Sequence, residues 1–232
     1  MPDKDAGTPR VFLVRHGETE WSKSGRYTGK TEIPLTQVGE QQVACSARIV
    51  FGKGKLIDPA KIAKVWISPL QRAQRTFELL AGKEREELRK QSKVETADEL
   101  IEWDYGSYEG HLTHEIRAMR KEQGLDKVTQ WDIWRDGTDA ESAQQVTDRI
   151  DSLIKRIRAL QAPHMKDNVA CDVVLVAHGH LLRAFAKRWL GYPMEFSLSM
   201  MMEPGGIGIL SYQHKNIDEP AVLLGIGFPA EE

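Results

Sequence analysis

The apolar residues of this chain fall into short unbroken runs that take turns with longer helical stripes. Val11–Val14 is such a run, stopped by Gly17, as expected of a strand buried on both faces. Thr36 follows as a residue able to accept a hydrogen bond from the free N–H groups of a helix start. Apolar and small residues then recur at helical spacing as far as Val50. Lys64–Ser68 predicts a second buried strand. Pro69, which has no N–H to leave unpaired, suits the first turn of a helix over Leu70–Leu80. Val146, Ile150, Leu153, Ile154 and Ile157 repeat near a period of 3.6 and predict an amphipathic helix over Glu141–Leu160. Val173–Ala177 reads as a third buried strand, followed by a helix over Leu181–Leu190 that Gly191 ends. Gly206–Tyr212 and Ala221–Gly227 predict two closing strands, antiparallel because the Asn216–Pro220 turn between them is short.

Strands alternating with helices predict an α/β fold, a three-layer sandwich around a mostly parallel central sheet with one antiparallel edge strand. The segment at about 98–137 breaks the alternation. It is rich in Trp, Tyr, Gly and charge, and its one helical stretch lies near Thr113–Glu122. It reads as an insertion folded over the sheet like a lid. Residues 1–9 read as a flexible leader and 10–232 as a single domain.

Composition narrows the class. The chain has 232 residues with 32 Lys+Arg against 34 Asp+Glu, a net charge of −2. Such a balance excludes the broad basic face that nucleic-acid binding needs, though not a small basic pocket. Cys45 and Cys171 form no CxxC motif and are expected to be reduced thiols. The polar Met1–Arg10 stretch lacks the apolar core of a signal peptide, and no apolar run is long enough to span a bilayer. A cytoplasmic protein with no membrane partner is expected. Apolar and Trp-rich segments leave room for a homo-oligomer interface.

Candidate chemistry lies where α/β sheets bind ligands, at the carboxyl ends of strands. The first strand ends in Arg15-His16-Gly17 and the second in Ser68-Pro69, with Arg72 one turn on. The third ends in His178-Gly179-His180, with Arg183 following. Arg and His gathered beside helix N-termini describe an anion site, most simply for phosphate. An Arg in the first turn of a helix opposes the helix dipole, which itself suggests a nearby anion. His178 and His180 have no third ligand at helpful spacing, so no metal is expected. Gly205–Leu210 precedes a strand rather than joining strand to helix, so it fails as a dinucleotide loop, and no P-loop occurs.

These motifs have a known counterpart. "VRHGETEW", "SPLQRAQRT", "ELIEWDYGSYEG" and "LVAHGHLLRAF" occur in the order of, and resemble, the motifs of the histidine phosphatase superfamily, whose best-known branch is the phosphoglycerate mutases. "RHGETEWSKSGRYTG", "GLDK" with "WDIWRDG", and "GGIGILSYQHKNIDEPA" resemble most closely the branch of fungal sedoheptulose-1,7-bisphosphatases. The segment between Trp189 and Gly205 is shorter than in that branch. The resemblance implies a phosphoglycerate mutase-like fold and hydrolysis of a sugar phosphate through phosphohistidine, without a cofactor. His16 would be the nucleophile, Arg15, Arg72 and His178 would hold the phosphoryl oxygens, and Glu102 would be the proton donor and acceptor. Ser22, Tyr27, Thr28, Tyr105, Arg183 and Gly206 would contact substrate. A mutase is the alternative, although the Arg-Arg pair of that branch is missing and Arg117 and Arg120 stand apart on one helix. A phospho-ligand binding module that kept the fold is a third reading. Because no metal site is read, EDTA is expected to leave phosphate release unchanged. Loss of activity restored by a divalent ion would overturn this.

Overall fold

A computed structural model describes residues 7–167 and 169–225. Six strands form one sheet: β1 (Val11–Arg15), β2 (Ile62–Ile67), β3 (Val94–Thr96), β4 (Asp172–Ala177), β5 (Ile207–Tyr212) and β6 (Pro220–Val222). They lie in the order β3-β2-β4-β1-β5-β6. The first four of that order are mutually parallel, and β5 runs against both β1 and the edge strand β6. Each inner strand sends alternate residues to opposite faces, as the pleat requires. Val11, Leu13, Trp66, Val173 and Leu175 enter one core; Phe12, Val14, Val65, Ile67, Val174 and Val176 enter the other. A sheet covered on both faces explains why its strands read as continuous apolar runs.

Among the described residues eight α-helices complete the layers: α1 (Glu20–Ser24), α2 (Gln37–Val50), α3 (Gln71–Ala81), α4 (Arg85–Lys90), α5 (Thr113–Glu122), α6 (Ile133–Asp136), α7 (Ala143–Gln161) and α8 (Gly179–Trp189). Helices α2, α3 and α4 supply Val43, Phe77, Leu80 and Leu88 to one face, whereas α7 and α8 supply Ile150, Leu153, Leu182 and Phe185 to the other. Thr36 caps α2 by accepting from Gly39 N–H, and Ser142 forms a capping box with Gln145 at the start of α7. None of the described helices is long and apolar enough to cross a membrane.

Several expectations shift. Pro69 stands outside α3, whose N-cap is Leu70. Helix α8 begins at Gly179, two residues earlier than the apolar pattern suggested, so His178 occupies its N-cap. β3 has three residues, too few for a period to register. The final strand ends at Val222; residues 226 and 227 of the expected run lie outside the described residues. Within the expected leader, residues 1–6 also lie outside them, but Thr8 and Pro9 are buried, and the Pro9 carbonyl accepts from Ser211 Oγ at 3.0 Å. The 98–137 segment holds no strand. It does not lie over a finished core: Trp103, Tyr105, Tyr108, Ile116, Trp131 and Ile133 are themselves buried in the α7/α8-side core.

One packing detail places the end of β1. A Cβ on Gly39 would sit 2.3 Å from the Glu18 carbonyl oxygen, and one on Gly17 would sit 2.7 Å from the Gly39 carbonyl oxygen. The first turn of α2 therefore presses backbone to backbone on the residues that follow His16. Gly39→Ala is expected to push this loop aside, costing about 1–3 kcal/mol of stability and lowering turnover. Urea denaturation and activity of the purified variant check both effects.

Candidate active site

The parallel packing of β4 between β2 and β1 brings three strand ends side by side. Arg15 pairs with Ala177 and Ile67 with Val176, so His16, His178 and Ser68 follow at neighbouring ends. His16 N–H donates to the Ala177 carbonyl at 2.9 Å, and the two imidazole rings lie 5.2 Å apart. His16 is 4% exposed, and its Nδ1 lies 2.7 Å from the Gly17 carbonyl oxygen. A carbonyl only accepts, so the proton sits on Nδ1 and Nε2 carries the lone pair. Burial, and then the Arg72 and Arg15 charges, hold this imidazole down at about 3, against the Gly17 bond. It is a neutral base across the physiological range.

Arg72 is fully buried, and its guanidinium is extensively committed. Nη1 donates to the Thr31 carbonyl at 3.0 Å, Nη2 to those of Gly29 at 2.6 Å and Thr28 at 3.2 Å, and Nε to His178 Nδ1 at 3.2 Å. Arg72 Nε can only donate, so His178 carries its proton on Nε2, which donates to Ser68 Oγ at 2.7 Å. Burial first, and Arg72 next, push His178 well below its ordinary value. Neither Arg72 nor His178 is among the residues lining the cavity described below. They are bonded to each other, and one Nη1 hydrogen of Arg72 is uncommitted.

Glu102 is 4% exposed, and its carboxylate sits at the N-terminus of α8. Oε1 accepts from Leu181 N–H at 2.9 Å and Trp103 N–H at 3.0 Å, and Oε2 from His180 N–H at 3.0 Å. This is the helix-end anion seat expected where free N–H groups converge.

A cavity of about 140 Å³ opens in front of these groups. Of the residues singled out in the sequence, Arg15, His16, Ser22, Tyr27, Thr28, Glu102, Tyr105 and Arg183 line it. Gly206 does not. Its carbonyl accepts from Arg15 N–H at 3.0 Å and so supports the strand. The hydroxyl of Ser22 is held in the capping box of α1 with Thr19. Four further residues line it, Gly25, Arg26, Gly179 and His180, of which sequence reasoning missed the side chains of Arg26 and His180 as substrate contacts. In the sequence Arg26 is marked only by its place in "GRYTG", and His180 by its place at the third strand end, beside His178. His180 Nδ1 lies 2.6 Å from the Tyr105 hydroxyl. Burial and the charges of Arg183, Arg15 and Lys187 drive His180 well below its usual value. A larger cleft of about 690 Å³ between α2 and α3 has an apolar floor of Phe51, Leu79 and Leu80 and none of these groups.

The cavity is cationic. Arg15, Arg26 and Arg183 line it with one carboxylate, Glu102, which is spent on α8. Arg15 Nη1 donates to the Met202 carbonyl at 2.5 Å, while its buried Nε has no hydrogen-bond partner. Three guanidinium groups, a buried neutral imidazole and an unpartnered N–H suit a phosphoryl group and a nucleophile to receive it. Among the described residues, no three His, Cys, Asp or Glu side chains are grouped to hold a metal ion.

The buried histidines also set a pH dependence. The unfolded chain protonates each imidazole below about pH 6.5, whereas folded His16 stays neutral down to about 3. The unfolded state then binds more protons, so stability is lost as pH falls below about 6.5. His16 alone is expected to remove about 2 kcal/mol by pH 5, with His178 and His180 acting in the same direction. Urea midpoints at pH 7, 6 and 5 should fall, and less steeply in His16→Asn. An equal slope in the variant would contradict the assignment.

The arrangement has relatives. The family model of the histidine phosphatase superfamily (branch 1) matches residues 11–221. The chain is 39% identical to a sedoheptulose 1,7-bisphosphatase of Saccharomyces cerevisiae, across 97% of this chain and 96% of that protein. It is 37% identical to an acid phosphatase of Mycobacterium tuberculosis, across 95% and 94%. Among solved structures, that of a Mycobacterium tuberculosis open reading frame superimposes with a TM-score of 0.73 at 32% identity, covering 93% of this chain and 96% of that one. With this likeness along nearly its whole length and a neutral imidazole in a cationic cavity, the chain belongs to the histidine phosphatase superfamily and is a phosphoric monoester hydrolase.

Proposed function

We propose that the enzyme hydrolyses a sugar bisphosphate through a phosphohistidine on His16. Sedoheptulose 1,7-bisphosphate, giving sedoheptulose 7-phosphate, is the leading substrate. The observation that carries the mechanism is the tautomer of His16. Its Nδ1 proton is pinned to the Gly17 carbonyl, so Nε2 offers its lone pair at the cavity. The likeness to the yeast bisphosphatase supports the substrate. So does the number of cations: Arg15 serves the transferred phosphoryl group, leaving Arg183, which has no ion pair among the described residues, for a second anionic group, whereas Arg26 is paired with Glu115.

In the first step the Nε2–P bond forms and the P–O bond to the sugar breaks. Arg15, with the remaining N–H of Arg72, neutralises the charge on the non-bridging oxygens. Glu102 Oε2, which accepts a single backbone N–H, keeps a lone pair to carry the proton passed to the leaving oxygen. In the second step the Glu102 carboxylate takes a proton from water, whose oxygen attacks phosphorus. The P–N bond breaks, releasing inorganic phosphate and neutral His16. Arg120 is spent on Asp126 and the Tyr108 hydroxyl. It is thus not free to grip a substrate carboxylate, which favours a phosphatase over a mutase.

Stoichiometric inorganic phosphate is expected from sedoheptulose 1,7-bisphosphate, with fructose 1,6-bisphosphate a lesser substrate. Interconversion of 2- and 3-phosphoglycerate without phosphate release would sink the reading. His16→Ala is expected to cut turnover on the order of 10⁴-fold or more while substrate still binds, and to abolish the acid-labile phosphoenzyme seen by rapid quench. Retained turnover would remove His16 as the nucleophile.

A further inference from the structure

The aromatic motif Trp131–Gly137 stands out in the sequence, and the mechanism above leaves its second tryptophan without a role. Trp134 lies on the one-turn helix α6, in the segment inserted between β3 and α7. Its indole faces a single stripe of α8. His180, Arg183 and Lys187 stand at i, i+3 and i+7, spacings that put side chains on one side of a helix. The His180 ring lies 5.4 Å from the Trp134 ring, Arg183 Cζ lies 5.7 Å over it, and Lys187 Nζ lies 3.8 Å over it. Trp103 packs edge-on from behind at 5.9 Å.

The stripe is unusual in its charge. Lys187 is 2% exposed, yet no carboxylate among the described residues bonds to it, although Asp132 and Glu195 are near enough to act on its charge; Nζ donates to the Met194 carbonyl at 3.0 Å and lies over the indole face. A desolvated ammonium on a tryptophan face is the strong form of the cation–π interaction. Arg183 anchors its Nε on the Gly179 carbonyl at 3.0 Å, and its guanidinium borders the cavity with no ion pair among the described residues. Two neighbouring cations repel each other. The electron-rich indole that both lie over offsets that repulsion and holds both in place.

We propose that Trp134, clamped by Lys187, is a positioning residue that fixes Arg183 as the distal anion anchor of the cavity. Preference for a substrate with a second phosphate is thus set from the inserted segment. The proposal rests on the reading that the His16 cavity takes phosphoesters. It adds that discrimination between a bisphosphate and a small monoester passes through a side chain that does not itself line the cavity.

The test is the ratio of two constants in one assay. The first is Ki of fructose 1,6-bisphosphate against hydrolysis of p-nitrophenyl phosphate, and the second is KM for that ester. Trp134→Leu is expected to raise the ratio about tenfold, as is Arg183→Met, and the double variant is expected to go no further. Trp134→Phe, which keeps an aromatic face, should return the ratio to within about threefold of wild type. Lys187→Met should raise it in the same direction as Trp134→Leu. An unchanged ratio, equal rises in Ki and KM, or multiplying effects in the double variant would overturn the proposal, since each describes packing alone. The same ratio can be read by calorimetry in a His16→Ala background, as Kd of the bisphosphate over Kd of inorganic phosphate. A failed catalytic reading, with no phosphate released by wild type, then stays distinguishable from a failed positioning role.

Discussion

A fully buried guanidinium holds this site together. Arg72 has no solvent to satisfy its donors, so protein must do so, and the acceptors it finds are the carbonyls of Thr28, Gly29 and Thr31 and the imidazole of His178. Those bonds tie the loop after α1 to the first turn of α3 and to the end of β4. The loop carries Arg26, Tyr27 and Thr28 to the cavity wall. The same charge helps keep His16 and His178 neutral, as a nucleophile at the end of β1 must be. Scaffold and electrostatics therefore share one side chain.

The charge arithmetic of the chain has to be read locally. A net charge of −2 describes an ordinary surface, on which many of the ion pairs are exposed arginine–carboxylate contacts such as Arg75–Glu40 and Arg158–Asp218. Such pairs contribute little. The cavity is the exception, because among the described residues Arg15 and Arg183 have no carboxylate ion-pair partner and Glu102 is turned onto the N-terminus of α8. That N-terminus would itself attract an anion. By seating Glu102 there, the fold satisfies the helix end and holds a carboxyl group at the edge of the cavity.

The inserted segment belongs to the fold as much as to the site. Trp103, Tyr105, Trp131 and Ile133 fill the core on the α7/α8 side of the sheet, while Tyr105 meets His180 and Trp134 meets Arg183. Aromatic residues suit this double duty, since one ring can bury apolar area on one edge and present a hydroxyl or a π face on another. Core packing and substrate contact are thus coupled through α8.

Much of this was legible in the order of the residues. Unbroken apolar runs identify strands covered on both faces, because only a doubly buried strand tolerates apolar residues at successive positions. The polar residues just beyond those runs therefore mark the working edge. On that basis Arg15, His16, Arg72, His178 and Arg183 could be named before their neighbours were known. The fold class, the family motifs and the cationic chemistry of the site follow from residue order alone. That order left open who bonds to whom, since burial and most of these hydrogen bonds depend on partners distant in sequence. Whereas the tautomer of His16 rests on its neighbour Gly17, the tautomer of His178, its bond to Arg72 and the arrival of Arg26 and His180 at the cavity wall are contacts across strand order. Only the insertion of β4 between β2 and β1, which brings three distant strand ends within bonding distance, decides them.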